Sequence, residues 1–392
     1  MSEIKVNSIK GVGATAAAIT VNNTDGTCTA NITNKPNRNL IINGAMNVAQ
    51  RGTSSTSAGY QTVDRFGLTA SGTDEAPTQA QVDVASGTTP YTLGFRKALK
   101  ITNGNQTSGA GATDRINIYY NVEAQDIANS GWNYTSSSSF ITLSFWVKSS
   151  VAQNFYGRIY TADGAAQGYS FETGSLSADT WTKVTKTIAG NSNLTFDNNN
   201  ESGFYLVIAP FIGTDYTASG VALNTWAAFS GSQRTPDYTS TWYTTNDATF
   251  EYTGVQLEVG SVATDFEHRS FGQELALCQR YYEQSYNDNN YPGGNHNVGG
   301  YYAGHTADGS NNATWSSPFA VRKRAVPTIT FYSDGGTSGS WNYIKNGASV
   351  ATATMTYFRN SQTYVGGYLG AGSGAAFNAV IIWGHWTASS EL

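Results

Sequence analysis

Charged side chains are scarce in this chain. Asp, Glu, Lys and Arg make up 12% of the 392 residues, about half the usual share. The formal net charge of −5 leaves no global basic field of the kind that holds nucleic acid, so we expect no nucleic-acid partner. One short basic cluster, Arg322, Lys323 and Arg324, stands out. Short charge runs are commonly solvated, and this one is predicted to lie on a solvated strand edge.

Cysteines and long apolar runs are also few. Cys28 and Cys278 lie in different predicted domains and form no CxxC spacing, which argues against a redox motif or a metal cluster. Cys278 lies among apolar residues and is expected to pack as a small hydrophobe. Residues 1–10 lack the apolar core of a signal peptide, and no run is long enough to span a bilayer. We therefore expect no membrane insertion, and an exit route other than secretion if the protein acts outside cells.

Catalytic motifs are missing as well. The sequence has no GxSxG elbow, no HExxH helix and no phosphate-binding glycine loop. The carboxylates that a glycosidase needs, for example Glu123, Asp126, Glu172 and Glu251, show no motif spacing. Asp197 is followed by three asparagines but lacks the spaced acidic pattern of a calcium loop. We expect a non-enzymatic protein with no cofactor and no metal ion.

Glycine and aromatic residues are abundant instead. The chain has 42 Gly, 24 Tyr and 9 Trp. Gly, Asn and Asp tolerate the positive φ angles of tight turns, so this composition is typical of many short strands rather than long helices. An aromatic content of 13% also argues against disorder, because it provides surface to bury. The predicted fold class is all-β.

Alternating apolar residues indicate a jelly-roll β-sandwich over residues 39–269. In the clearest strand, every second residue from Ile141 to Val147 is apolar. Clusters of Gly, Ser and Asn separate the strands, as an antiparallel jelly roll requires. The predicted strands are 40–43, 116–122, 141–148, 155–160, 182–188, 204–209 and 250–258.

A short helix and a second, smaller β domain are predicted over residues 270–392. Ser270 precedes Gln273 by three residues, the spacing of a capping box. The apolar residues from 275 to 282 then continue the helix. Pro327 marks the start of a strand rather than its interior. Apolar alternation follows at 329–332, 351–358 and 380–386.

Several segments resemble one protein family. The stretch VQLEVGSVATDFEHRSFGQELALCQRYYEQS, which begins at Val255, is similar to a signature of phage tail-fibre and receptor-binding proteins. NLIINGAMNVAQRG at 39–52 with VDRF at 63–66, and VRKRAVPTITFY at 321–332, are similar to segments of the same class. The opening MSEIKVNSIKG resembles the start of fibre proteins from phages of marine cyanobacteria.

The resemblance implies an architecture and a role. The jelly roll would be of the carbohydrate-binding-module type, closed by pairing of its first and last strands, NLIINGAM and TGVQLEVG. Related jelly rolls often hold a structural calcium ion, but the acidic residues differ here and no metal is expected. Residues 1–38 would be an extended arm that trimerises the chain or attaches it to the phage tail or another fibre protein. A flexible tail is the alternative for these residues.

The function implied is recognition of a host cell-surface polysaccharide during adsorption, by a homotrimer assembled in the host cytoplasm and carried in the virion as a tail fibre. The distal domain, residues 270–392, would be the receptor-binding tip. A purely structural tail or baseplate component is one alternative, and a capsule polysaccharide depolymerase is another. The sequence does not identify the host or the receptor.

Two groups of residues are candidate glycan-binding sites. Rings exposed on a sheet can stack on sugar rings, and Asn117 and Asn121 can bind hydroxyl groups. For the first group we favour the alternative that the rings are covered by another subunit or by loops. The second group lies in a Gly/Asn-rich segment typical of adaptable recognition surfaces, with a loop-rich cap of buried rings as the alternative. The first group is Tyr119, Trp146, Tyr156, Arg158, Tyr160 and Tyr205, and the second is Tyr291, His296, Tyr301, Tyr302, His305 and Trp315.

Overall fold

Antiparallel β-sheets account for most of the regular structure, and the prediction of an all-β, jelly-roll fold is confirmed. None of the helices in the described part of the chain is long and apolar enough to cross a membrane. The computed structural model describes residues 8–10, 12, 19–21, 24, 28–30, 36–296, 301–305, 312–345, 347, 349–357, 360–370 and 380–392.

The N-terminal segment contains a small three-stranded sheet. Strand β1 (Ser8–Ile9) pairs with β2 (Ile19–Val21), which pairs with β3 (Cys28–Ala30). The side chains of β1 and β2 are exposed or half-buried. Strands of two or three residues bury too little apolar surface to be stable alone. The sheet therefore needs a partner surface, and the identity of that partner stays a prediction.

Two six-stranded antiparallel sheets form the jelly roll. Its strands are β4 (Ser54–Ser55), β5 (Gly67–Ser71), β6 (Thr78–Asp83), β7 (Lys97–Thr102), β8 (Arg115–Glu123), β9 (Phe140–Ser149), β10 (Asn154–Thr161), β11 (Gln167–Ser175), β12 (Thr182–Ala189), β13 (Ser202–Ile212), β14 (Trp226–Ala228) and β15 (Thr249–Val259). Sheet 1 has the order β14-β11-β10-β13-β8-β5, and sheet 2 has the order β12-β9-β15-β7-β6-β4.

The core lies between these two sheets. Ile141, Leu143, Phe145 and Val147 of β9 are fully buried, as their alternation predicts. They belong to one apolar cluster with residues of sheet 1 such as Phe171. Full burial of each such side chain contributes about 1.5–3 kcal/mol. This core fixes which side of each strand faces outward.

Residues 40–43 do not form the first strand that the sequence predicts. Asn43 and Met46 adopt positive φ angles of 62° and 59°, which turn the chain instead of extending it. The segment still closes the jelly roll beside β15. The backbone N–H of Leu257 donates to the Asn39 side-chain oxygen at 3.0 Å, so one amide side chain replaces part of a strand pairing.

Both hydrogen bonds of the capping box predicted at Ser270 are present. The Ser270 side chain accepts from the backbone N–H of Gln273, and the Gln273 side chain accepts from the backbone N–H of Ser270. The helix ends at Gln279, so Tyr281 and Tyr282 lie beyond it, contrary to the prediction. Cys278 is fully buried, as expected for a small hydrophobe. The described residues form helices α1 (Thr89–Thr92), α2 (Ala124–Ala128), α3 (Thr241–Thr244) and α4 (Phe271–Gln279), and a 3-10 turn at Thr214–Tyr216.

The C-terminal strands form one further sheet around the last strand. The three predicted alternations correspond to strands, and Pro327 directly precedes one of them. Trp341 is fully buried in the apolar cluster of this sheet. The strands are β16 (Tyr282–Gln284), β17 (Tyr301–His305), β18 (Asn312–Pro318), β19 (Thr328–Tyr332), β20 (Ser340–Lys345), β21 (Ala351–Tyr357), β22 (Tyr364–Gly370) and β23 (Val380–Ser389).

The basic cluster at 322–324 is not a solvated strand edge, contrary to the prediction. Lys323 is fully buried and forms an ion pair with Glu283. Arg324 is also buried and donates to the carbonyl oxygen of Asn200, in the jelly roll, at 2.7 Å. Buried cations need such partners, and the sequence does not show which acceptors converge on them.

A buried ionic cluster joins the end of the chain to the jelly roll. Glu391 pairs with Arg51 at 3.0 Å and with Arg65. Arg65 lies over the ring of Tyr281, 3.4 Å from its centroid, and Arg51 lies 3.6 Å from the centroid of Tyr282. Guanidinium groups are suited to this combination of ion pairing and ring stacking. The cluster links three separate segments of the chain.

Replacing Glu391 with Gln is expected to destabilise the fold by about 3–5 kcal/mol, because two buried guanidinium groups lose their shared carboxylate. Chemical denaturation measures the change. The matched control is Asp83→Asn, whose ion-pair partner Lys97 is 38% exposed while Asp83 is 81% exposed, and a loss below about 1 kcal/mol is expected there. Equal losses in the two variants would contradict a special role for the buried cluster.

The ion pair between Arg280 and Glu123 should make stability depend on pH. Burial raises the pKa of Glu123, whereas hydrogen bonds from Arg280 and Tyr281 lower it, and the net direction is downward. A lowered folded-state pKa stabilises the fold above the unfolded value and loses this contribution as the pH falls. We expect Glu123→Gln to flatten the loss of melting temperature below about pH 5. Parallel melting curves for wild type and variant across this range would refute the linkage.

Candidate functional site

The outer side of sheet 1 carries a group of aromatic residues. Phe155 and Ile159 of β10 are buried in the core, so Tyr156, Arg158 and Tyr160 project to the opposite side. We call this outer side the tyrosine face. The register of the neighbouring strands adds Tyr205 opposite Tyr160, and Tyr119 opposite Val207.

Trp146 does not belong to the tyrosine face, contrary to the prediction. Its strand, β9, lies in sheet 2. Its indole packs in a separate apolar cluster with Phe95, Trp181 and Phe266. The alternation of β9 correctly turns Trp146 away from the core, but the sequence does not show which strands share a sheet.

Three rings form a continuous stack across the tyrosine face. The rings of Tyr160 and Tyr205 are parallel within 1°, with centroids 4.4 Å apart. Phe229, just after β14, lies 4.8 Å from Tyr160. Protein rings therefore flank Tyr160 on both sides. At the end of the stack is Tyr205, which is half-buried and contacts no second ring among the described residues.

The segment 213–248, between β13 and β15, covers one end of this face. The Tyr238 hydroxyl donates to the carbonyl oxygen of Tyr156 at 2.8 Å, and the two ring centroids are 5.1 Å apart. The Ser170 hydroxyl of β11 donates to the backbone oxygen of Arg234 at 2.6 Å. The favoured alternative of covered rings therefore holds for part of the face, and the cover comes from the same chain.

The opposite end of the face is covered by other residues. Tyr119 lies across Gly67, where an added Cβ atom would be 2.2 Å from its ring, and it contacts Tyr60 edge-on at 5.2 Å. The side-chain amide of Asn121 donates to the backbone oxygen of Leu392 at 3.0 Å. The open part of the tyrosine face is thus its middle, around Tyr205.

Three arginines, Arg115, Arg158 and Arg234, lie beside the ring stack, and we call them the arginine cluster. Arg158 is only 5% exposed, and its Nε and Nη1 atoms have no hydrogen-bond partner. Arg115 and Arg234 lie 5.2 Å and 4.5 Å from the ring centroid of Tyr216. Within the described ranges, none of the three arginines forms an ion pair.

The pKa shifts of the cluster follow from burial and like charge. Burial lowers the pKa of Arg158 to about 10, and the charges of Arg234 and Arg115 contribute in the same direction. Burial and then Arg115 also lower the pKa of Arg234. Arg158 still carries its charge at neutral pH. The sheet therefore holds a buried positive charge that no carboxylate of the described segments pairs with.

The sequence prediction found only part of this arrangement. Arg115 follows the same alternation as Asn117 and Tyr119, so the strand pattern is sufficient to place it on the tyrosine face. Arg234 and Phe229 lie in a segment without strand periodicity, so no sequence signal places them over sheet 1. Asn117 lies on this face, where its side-chain oxygen is buried without a hydrogen-bond partner.

The second candidate group is not confirmed as a surface. Trp315 is a core residue, contrary to the prediction: it is 6% exposed and stacks on Trp341 at 4.5 Å. Tyr291 and His296 are half-buried, and the His296 backbone oxygen is 2.9 Å from a ring nitrogen of His385. The side chains of the remaining members, Tyr301, Tyr302 and His305, lie outside the described residues.

Comparisons with known proteins give distant structural matches. No family model and no curated protein matches the chain. Among solved structures, a candidate sugar-binding protein from Bacteroides thetaiotaomicron matches with 11% identity over 57% of this chain and 100% of its own, at a TM-score of 0.30. The N-terminal cellulose-binding domain of Cellulomonas fimi β-1,4-glucanase C matches with 11% identity over 55% and 99%, at 0.26.

A third match is the family 11 carbohydrate-binding module from Clostridium thermocellum, with 10% identity over 54% of this chain and 98% of its own, at a TM-score of 0.25. All three overlaps are distant in both sequence and geometry. What the tyrosine face can bind therefore has to follow from the side chains of this chain.

Proposed function

We propose that this chain is a non-enzymatic phage tail-fibre protein that recognises a host cell-surface glycan through the tyrosine face. The observation that carries the binding step is the half-buried ring of Tyr205 at the end of the stack, beside the unpartnered guanidinium of Arg158. A ring face suits the apolar side of a sugar. A few fixed polar groups beside it provide orientation and specificity.

The proposed tail-fibre role rests on the sequence segments that begin at Asn39 and Val255, and on the N-terminal sheet that is too small to be stable alone. A homotrimer would supply the missing partner surface. It would also combine three weak glycan contacts into one stronger attachment. We place the trimer in the virion, assembled in the host cytoplasm and attached through residues 1–38.

The non-enzymatic part of the proposal is supported by how the candidate carboxylates are used. Glu123 is fully buried and accepts from Arg280 at 2.7 Å and from Tyr281 at 2.6 Å. Glu251 pairs with Lys148 at 2.9 Å on sheet 2, away from the tyrosine face. These two groups are engaged in structural ion pairs. Incubation with host polysaccharide should therefore release no new reducing ends, and their appearance would establish a depolymerase.

Replacing Tyr205 with Ala should weaken glycan binding about tenfold, since covering ~60 Å² of ring surface contributes ~1.5 kcal/mol. A glycan array and adsorption to host cells measure the change. The matched control is Tyr91→Ala, a half-buried tyrosine on α1, which should keep full binding. Unchanged binding by the Tyr205 variant would contradict the assignment of the site.

Adsorption experiments also separate the proposal from a purely structural role. Particles that carry Tyr205→Ala should assemble normally and adsorb poorly, because Tyr205 is on the jelly-roll surface and not in its core. If the chain were a purely structural component, particles that carry Tyr205→Ala and assemble would adsorb as well as wild type.

A further inference from the structure

Among the residues that the structure describes, no carboxylate pairs with the arginine cluster, although acidic residues are near it in the sequence. Glu172 of β11, opposite Tyr156, accepts from the Asn154 side chain at 2.8 Å. Asp114 accepts from the Tyr243 hydroxyl at 3.0 Å. The side chain of Asp237, in the covering segment, accepts from the Thr217 hydroxyl at 2.6 Å. These three carboxylates accept hydrogen bonds from other side chains and form no ion pair with the cluster.

The geometry of the cluster suits an oxyanion. Arg158 has two guanidinium nitrogens that are buried without a hydrogen-bond partner, and the Nε atom of Arg115 is a third such donor. Arg234 is half-buried, so it is the member of the cluster that an incoming anion meets first. Guanidinium groups bind carboxylate, sulfate and phosphate through paired hydrogen bonds. An isolated buried cation is unfavourable, and an anion brought against it removes that penalty.

The cluster also lies next to the proposed sugar platform. Arg158 is adjacent to the stack, with its guanidinium carbon 6.0 Å from the ring centroid of Tyr160. In the register of the sheet, Arg158 is opposite Val207, two residues from Tyr205. Side chains at such positions project from the same side of a sheet, so one ligand can contact both.

We propose that the arginine cluster binds the anionic group of an acidic sugar whose ring lies against Tyr205. The anionic group is a carboxylate, a sulfate or a phosphate, which share the charge and the oxygen geometry that guanidinium recognises. This inference rests on the proposed function, because it names the class of glycan that the tyrosine face takes.

The test compares acidic oligosaccharides with their neutral counterparts. The probes are an oligogalacturonate and its carboxyl-reduced form, a sulfated oligosaccharide and its desulfated form, and a phosphorylated oligosaccharide and its dephosphorylated form. Calorimetric titration at low salt should show at least one acidic member binding about tenfold or more tightly than its partner. The three pairs distinguish the source of the charge.

Arginine variants then assign this preference to the cluster. Arg234→Gln should reduce the affinity for the acidic probe about tenfold and leave the affinity for the neutral probe unchanged. The matched control is Arg96→Gln, an exposed arginine that also lies over a tyrosine ring, 4.0 Å from the centroid of Tyr91. The control should behave as wild type.

The outcomes separate this inference from the proposed function. Equal binding of acidic and neutral members would overturn the acidic-sugar inference and leave glycan binding in place. Absence of binding to every probe would count against both. Equal losses in the Arg234 and Arg96 variants would assign the preference to general surface charge and overturn the role of the cluster.

Thermal stability gives a readout that does not depend on a sugar. Arg158→Met should raise the melting temperature by about 1–2 °C in dilute buffer, because it removes an unpaired buried cation. Sodium sulfate should then stabilise wild type more than the variant, since the anion binds the folded state with Arg158 present. A lower melting temperature for the variant, with equal sulfate effects, would show that Arg158 is a structural residue and overturn the proposal.

Discussion

Two buried guanidinium groups share the carboxylate of Glu391, and this contact ties the end of the chain to the jelly roll. Arg65 also donates to the backbone oxygen of Asn121 at 2.6 Å, on the strand that carries Tyr119. The position of the last residues therefore helps to define the covered end of the tyrosine face. Removal of a buried partner charge is costly, so the boundary of the open surface depends on one carboxylate.

The strands of the jelly roll are the elements that the sequence predicts best. A core between two sheets requires apolar residues at every second position, and six of the seven predicted jelly-roll strands are present on that basis. The capping box at Ser270 was equally accessible, because it depends on residues three apart. The strand predicted at 40–43 is absent, because the positive φ angle of Asn43 breaks an apolar run that is otherwise typical of a strand.

Contacts between segments that are distant along the chain cannot be predicted from the sequence in the same way. The alternation of β9 predicts the direction of the Trp146 side chain correctly, but it does not show which strands are the neighbours of β9, and Trp146 lies on sheet 2 and not on the predicted face. The sequence predicts that Lys323 is solvated, because its partner Glu283 is 40 residues away along the chain and no local pattern links the two. Five residues of the tyrosine face were predicted correctly as sharing one surface, whereas Arg234 reaches it only through the path of a non-periodic segment.

The covering segment 213–248 supplies Tyr216, Phe229, Arg234 and Tyr238 to the tyrosine face from a single insertion between β13 and β15. The end of the insertion belongs to the sandwich core, because Trp242, Tyr243 and Ala248 are buried in the same cluster as the flanking strands. The residues that the insertion supplies to the tyrosine face lie before this buried end. Loops of this kind tolerate replacement better than the strands that support them. A change of target molecule can therefore arise by exchanging the part of this insertion that precedes Trp242, while its buried end and the scaffold are kept.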